Sequence, residues 1–199
     1  DVPRAEALWQ LTQAAREKRL DVAKARFCFL NDETGELTDG AAIYPTDVLE
    51  GGALLAAQCQ SGTYEPMVWQ CVYRRAFLLE NGLRMAEGLL FEDELFQAPA
   101  LIRAKRAAAF DAVILEYRQR PGSIMASFAG SAKWCASYAQ VCARLDALAR
   151  TLPKSAAKSA LKKRVGQIAL SVGKNIPAYR LPPEVAQEAM AFLKANRRS

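Results

Sequence analysis

Three carboxylates stand in a row at Glu92-Asp93-Glu94, flanked by Phe91 and by Leu95-Phe96. A carboxylate held in apolar surroundings keeps its proton more tightly, and so becomes a better general base near neutral pH. The same acids in the first turn of a helix would also complement its dipole, worth ~0.3–1 kcal/mol each, with no chemistry attached. On the residues alone both readings stay open. The sequence has no histidine, which excludes Ser-His-Asp and Cys-His nucleophiles and every histidine metal centre. An acid or base must therefore be a carboxylate, Lys, Tyr or Cys. Cys28, Cys59, Cys71, Cys135 and Cys142 contain no CxxC pair and are odd in number. They read as reduced, mostly buried thiols.

Cations form the second candidate set. Arg118 and Arg120 leave the apolar run Phe110 to Tyr117 two residues apart. Alternate residues of an extended chain point the same way, so both guanidiniums can face one cleft and hold phosphate oxygens, or simply meet water at a strand end. Ser123 follows in a turn-rich stretch, as a cap for the next segment or a contact to a diphosphate. Arg74-Arg75 divides between a surface position and an ion pair, with substrate contact as the alternative.

The elements that must position these groups are legible as patterns. Ala5 to Arg19 carries an amphipathic stripe of Leu8, Leu11 and Ala15 and reads as a helix. Val22 to Leu30 reads as a strand, and the turn-rich Asn31 to Gly40 as a loop or hairpin connection. Pro45 to Cys59 suggests a helix capped by Thr46. Glu65 to Asn81 suggests a short strand or irregular apolar stretch and then a helical turn. Leu89 to Ala107 suggests a helix opening on the three acids, and Phe110 to Tyr117 a buried strand. Beyond Met125 the pattern is helical throughout: Ala132 to Leu152, Ser155 to Gly173 and Pro183 to Arg197. The fold class is α/β, with strands and helices interleaved over 1–126 and a helical appendage over 127–199.

Charge follows that division. Residues 1–126 carry 14 basic and 18 acidic side chains, residues 127–199 carry 13 and 3. In the tail, Leu161, Val165, Ile168 and Val172 make one apolar stripe, and Lys154, Lys158 and Lys162 a like-charged row beside Lys163 and Arg164. Such a helix can touch anionic headgroups, or pack its stripe on the domain and leave its lysines in water. The composition, 51% hydrophobic and 24% charged, excludes a disordered or collagen-like chain. No apolar run reaches the roughly 18–20 residues of a membrane-spanning helix.

Tyr73-Arg74-Arg75, Gly82-Leu83, Glu87-Gly88, Glu92-Asp93 and Phe96 form one block, and Tyr117-Arg118, Arg120 and Ser123-Ile124 a second block after a helix and a strand. Together they resemble the second half of a bacterial family 2 glycosyltransferase domain of the GT-A type, over roughly 1–126. Glu116 departs from the pattern, which usually has an apolar or aromatic residue there. The resemblance implies a partial GT-A-like domain and an inverting sugar transferase, moving a sugar from a nucleotide-sugar donor to a hydroxyl on a glycan or lipid-linked acceptor in surface polysaccharide synthesis. It makes Asp93 the catalytic base, Glu92 its orienting companion, and Arg118, Arg120 and Ser123 the groups on the diphosphate.

The family's first half, with its Asp-x-Asp metal motif, does not appear in this sequence, although Asp1 falls about where the last aspartate of that motif would lie. The expectation is therefore a fragment of a longer cytoplasmic protein working at the inner face of the membrane. The intact parent would use Mg2+ or Mn2+. The fragment alone would hold no metal, bind no nucleotide sugar and transfer nothing, and its bare sheet edge would be hidden by dimerisation or by a rearranged segment. The competing class is a noncatalytic helical adaptor whose basic tail binds an anionic membrane surface or nucleic acid. No nucleic-acid motif or clustered aromatics accompany that tail, which argues against nucleic acid.

Overall fold

The computed structural model describes residues 1–40, 42, 45–122 and 131–175, and residues 183, 184, 187 and 191 singly. Its centre is one mixed sheet. Strand β2 (Val22–Asn31) lies parallel to β5 (Ala107–Gln119), with Val22 opposite Ala107 and Asn31 opposite Gln119. The other side of β2 pairs antiparallel with β4 (Cys71–Tyr73) near its start and with β3 (Leu37–Asp39) near its end. The two-residue strand β1 (Val2–Pro3) adds to the outer side of β5 at Leu115 and Glu116. Both long strands follow the sequence expectation, since each concentrates apolar and β-branched residues that pack on two covered faces.

Helices cover both faces. Helix α1 (Ala5–Glu17) lays Leu11 and Ala15 on Ala23, Ala25, Ala108 and Ile114. On the opposite face α2 (Gly51–Ser61), the short α3 (Arg75–Glu80) and α4 (Glu92–Arg103) bury Leu54, Leu55, Phe77, Phe96 and Leu101 with Val22 and Ala107. Two long helices follow, α5 (Ala132–Thr151) and α6 (Ala156–Asn175). They pack on each other through Cys135, Cys142, Leu145, Leu161, Val165 and Ile168, with Ala98 of α4 in the same cluster. Three members of the apolar stripe, Leu161, Val165 and Ile168, therefore face protein. The expected helix over Pro183 to Arg197 falls almost wholly outside the described residues.

Two helix starts differ from the sequence expectation, each because backbone groups are already bonded elsewhere. Thr46 caps nothing. Leu49 instead exchanges both backbone hydrogen bonds with Ala107, at 2.9 and 2.8 Å, so the chain stays extended and α2 begins only at Gly51. Helix α4 begins at Glu92 rather than Leu89, because Phe91 adopts a left-handed conformation with φ 64°. It ends at Arg103, after which the Asp21 carboxylate accepts the N–H groups of Lys105 (2.8 Å) and Arg106 (3.3 Å).

Gly51 marks where α2 meets the end of α4. A β-carbon built there would lie 2.1 Å from the Leu101 carbonyl oxygen and 2.8 Å from the Ala104 methyl. Neither neighbour is a flexible side-chain end. Gly51→Ala is expected to lower unfolding stability by about 2 kcal/mol, read as a lower urea midpoint with an unchanged m-value. A midpoint equal to or above wild type would show that the two helices are free to separate.

Candidate functional site

A cleft of ≈ 570 Å³ opens beside the first turn of α4. Its sheet wall consists of Phe27 and Phe29 from β2 and Tyr117 from β5. Register shifts between Ala25, Arg26 and Phe27 interrupt the β2–β5 ladder, and an irregularity of this kind re-aims side chains. Lys24 and Phe27, an odd number of residues apart, accordingly both reach the 65–69 segment. Trp69 stacks on Tyr117 with ring centroids 5.4 Å apart and planes inclined 13°, and meets Phe27 edge-on at 4.9 Å. Phe27 is 1% exposed, so the aromatic surface within reach of a ligand belongs to the half-buried Phe29, Trp69 and Tyr117.

Glu65, Glu92, Asp93 and Glu94 line the same space. Asp93 is half-buried, and that burial, more than the neighbouring charge of Glu92, pushes its carboxyl up to about 6. A hydrogen bond from the Val68 backbone works in the opposite direction but only in part. Glu94 has a different fate. It is 2% exposed and takes a two-pronged hydrogen bond from Arg164, which enters from α6. The Arg164 guanidinium also lies over the Tyr64 ring, 5.4 Å from its centroid. Of the three adjacent acids, then, one is a buried ion-pair partner and two remain at the cleft.

What holds the acid row is α5, which nothing in the local sequence around 92 announces. Phe91 stacks on Tyr138 with centroids 3.7 Å apart and meets Trp134 edge-on at 5.7 Å. The Ser137 hydroxyl accepts the Leu90 N–H at 3.2 Å. These contacts pin a left-handed phenylalanine, a conformation that costs a bulky side chain on the order of 1–3 kcal/mol and persists only where its surroundings enforce it. Beneath the cleft, Lys24 is buried and donates to the Glu65 carbonyl at 2.5 Å, and desolvation lowers its pKa. Gln70 donates to the Glu65 carboxylate at 2.7 Å. The side chains supporting Glu65 therefore come from β2 and from the turn before β4.

The other residues singled out from sequence lie apart from these acids. Tyr117 faces the cleft, so its neighbour Arg118 does not; the Arg118 guanidinium pairs with Asp32 at 2.5 Å, and its backbone N–H donates to Asp1 at 3.1 Å. Arg120 lies beyond the end of β5, exposed. Neither arginine lines the cleft, and their alternation does not bring them together over the acids. Ser123 lies outside the described residues. Arg74 pairs with Asp21 at 2.8 Å and with Glu80 at 3.6 Å, while Arg75 is exposed. All five cysteines are free thiols, four of them buried. Among the described residues no three Asp, Glu or Cys side chains converge as metal ligands. Asp1 is engaged with Arg118, and Glu94 with Arg164. These residues do not fit a metal centre, and the roles assigned below belong to side chains alone.

Arg164, which in the sequence is one of several cations in a basic row, is the one cation lining the cleft among the described residues. Its neighbours in that row also have structural partners. Lys163 donates to the Cys59 carbonyl at 3.1 Å and Lys158 to the Leu152 carbonyl at 2.7 Å. No described helix is long and apolar enough to cross a membrane.

No protein-family model and no curated protein matches the chain. Its fold is similar to that of the S. aureus TarS glycosyltransferase, in a crystal structure of residues 1–349, with a TM-score of 0.56 and 14% identity. The match covers 100% of this chain and 62% of that one. At that identity the likeness concerns the fold: a mixed α/β, glycosyltransferase-like arrangement, consistent with a partial GT-A-like domain.

Proposed function

We propose that the chain is the acceptor-side part of an inverting glycosyltransferase of family 2, transferring a sugar from a nucleotide-sugar donor to a hydroxyl of a glycan or lipid-linked acceptor in surface polysaccharide synthesis. The observation that carries this reading is Asp93, a half-buried carboxylate with its pKa raised to about 6, at the edge of a cleft walled by aromatic rings. Sugar rings present C–H faces that pack on the electron-rich faces of Trp and Tyr. Their hydroxyls donate to carboxylates. A cleft with four acids and one already paired arginine is hostile to a diphosphate but well suited to a neutral polyol.

In this mechanism Trp69 and Tyr117 seat the acceptor sugar, and Glu92 and Glu65 orient its hydroxyls. Asp93 takes the proton from the attacking hydroxyl as its oxygen bonds to the donor's anomeric carbon. The bond from that carbon to the diphosphate breaks, and the nucleoside diphosphate leaves with the electron pair. By the resemblance, Arg118, Arg120 and Ser123 are the groups assigned to the departing diphosphate. A divalent metal and the nucleotide contacts are assigned to sequence outside this chain, in a cytoplasmic protein at the inner face of the membrane.

Saturation-transfer NMR with neutral oligosaccharides tests the acceptor half directly. Signal transfer to sugar C–H protons is expected from the wild-type chain, and Trp69→Ala is expected to weaken it about tenfold through the lost ring face. A cleft that binds nucleotide sugars but no neutral saccharide would reverse the assignment of sides. Binding of neither would remove the reading.

A further inference from the structure

A second concavity, ≈ 720 Å³, shares no lining residue with the aromatic cleft. It lies between the C-terminal end of α1, the junction of β4 with α3, and the turn that enters β5. Among the described residues, six cationic residues line it, Arg16, Arg19, Arg74, Arg75, Lys105 and Arg106, together with one carboxylate, Asp21. That carboxylate is buried and fully engaged, accepting Arg74 Nε at 3.0 Å and the guanidinium nitrogen beyond it at 2.8 Å, besides the two N–H groups of 105 and 106. Arg106 is held by the Lys18 carbonyl at 3.0 Å. Among the described residues, Arg16, Arg19, Arg75 and Lys105 have no carboxylate within ion-pair distance. The floor is apolar, with Ala15, Leu20 and Val72.

Four cations gathered here without acidic partners repel one another, and a bound anion relieves that repulsion. The backbone supplies a second observation. Helix α1 ends in a turn where Leu20 N–H reaches the Ala15 carbonyl at 2.9 Å and Arg19 N–H reaches the Arg16 carbonyl at 3.0 Å. The left-handed position in that turn normally belongs to glycine, as at Gly62 after α2. Here it is Arg19, with φ 50°. An arginine in that conformation is strained, and Arg19 is among the residues that line the pocket.

We propose that this pocket binds a phosphate-bearing group, with guanidinium forks on the phosphate oxygens and the apolar floor under the group that carries it. The site is independent of the cleft at Asp93 and of the reaction assigned there.

Two probes separate the sources of that phosphate: inorganic pyrophosphate by titration calorimetry, and sedimentation with phosphatidylcholine vesicles with or without phosphatidic acid. Either is expected to bind, with saturation near one per chain for pyrophosphate. Vesicle binding without pyrophosphate binding would identify a lipid headgroup, the reverse a soluble phosphate ester, and either supports the pocket. Arg19→Gly is expected to weaken binding about tenfold while raising the melting temperature, because it removes the strain along with the cation. Arg16→Gln should weaken binding without that gain. Lys162→Gln, on α6 and outside the pocket lining, should leave affinity unchanged. Binding that survives Arg19→Gly and Arg16→Gln, or falls only with Lys162→Gln, overturns the proposal, as does failure of both probes.

Discussion

Replacing Asp93 with asparagine, in the longer protein that the sequence reading expects around this chain, is expected to lower sugar transfer near neutral pH by about 10²–10⁴-fold, the usual contribution of a positioned general base. Donor affinity should stay nearly unchanged, because the proton comes from the acceptor. The wild-type pH profile carries the same information. A base with its pKa at about 6 loses its free form as pH falls, so transfer should drop tenfold per unit below that value and level off above it. An unshifted carboxylate would break some two units lower.

The sign for stability is opposite to that of most carboxylates. Folding raises this pKa, so the native state holds the proton more tightly and ionised Asp93 destabilises it at neutral pH. Asp93→Asn should therefore stabilise the chain at pH 7, by an amount that solvent reaching the half-exposed carboxyl keeps small, with the gain fading as pH falls from about 6 toward 4. Transfer rates with a chosen acceptor and urea midpoints at the two pH values measure both halves. Near-normal turnover in the variant would remove Asp93 from the mechanism.

The largest loss of stability is expected from Arg164→Leu. Glu94 is 2% exposed, and among the described residues Arg164 is its ion-pair partner. Removing one member of a buried pair leaves an uncompensated charge, at a cost of about 3–5 kcal/mol, which for a chain of this size corresponds to roughly 10 °C in melting temperature. Adding Glu94→Leu to it should restore much of the loss, since an apolar pair of similar volume needs no desolvation of charge. Equal instability of the single and double variants would show that the two side chains act separately. Because Glu94 adjoins Asp93 in the same helical turn, the single variant should also misplace the candidate base.

Local composition was enough for the two long strands and most helices. It was not enough for the short β1 and β3, which pair only because a long strand lies beside them, nor for the start of β5 at Ala107, which the pattern places in the preceding helix. Apolar runs at 22–31 and 107–119 are covered on both faces by helices, and periodicity at 132–151 and 156–175 reflects real packing seams. Competition for backbone groups was not legible. Thr46 has the chemistry of a cap, but Leu49 is claimed by Ala107 from a strand that comes much later. The acid row was visible as a cluster, yet its division into one structural and two cleft-facing groups depends on Arg164, 70 residues away. A row of lysines and arginines gives no sign of which member turns inward. Alternation at Arg118 and Arg120 was sound as strand geometry; the face it selected was set by Tyr117 and its partner rings across the sheet.

The parallel pairing of β2 with β5 has a consequence for how quickly the chain reaches this state. Its partners lie about 85 residues apart in sequence, and everything between them, α2 to α4 included, must be gathered before the first bond of that ladder forms. Closing so long a loop is an entropic toll met before any contact compensates it, which places such sheets among slow folders. The α5–α6 hairpin is joined through residues 152–155 and can collapse early, as local helical pairs do. While the sheet is still open, β2 presents an apolar, β-prone edge to other chains, and concentration during synthesis or refolding then decides between the native ladder and aggregation.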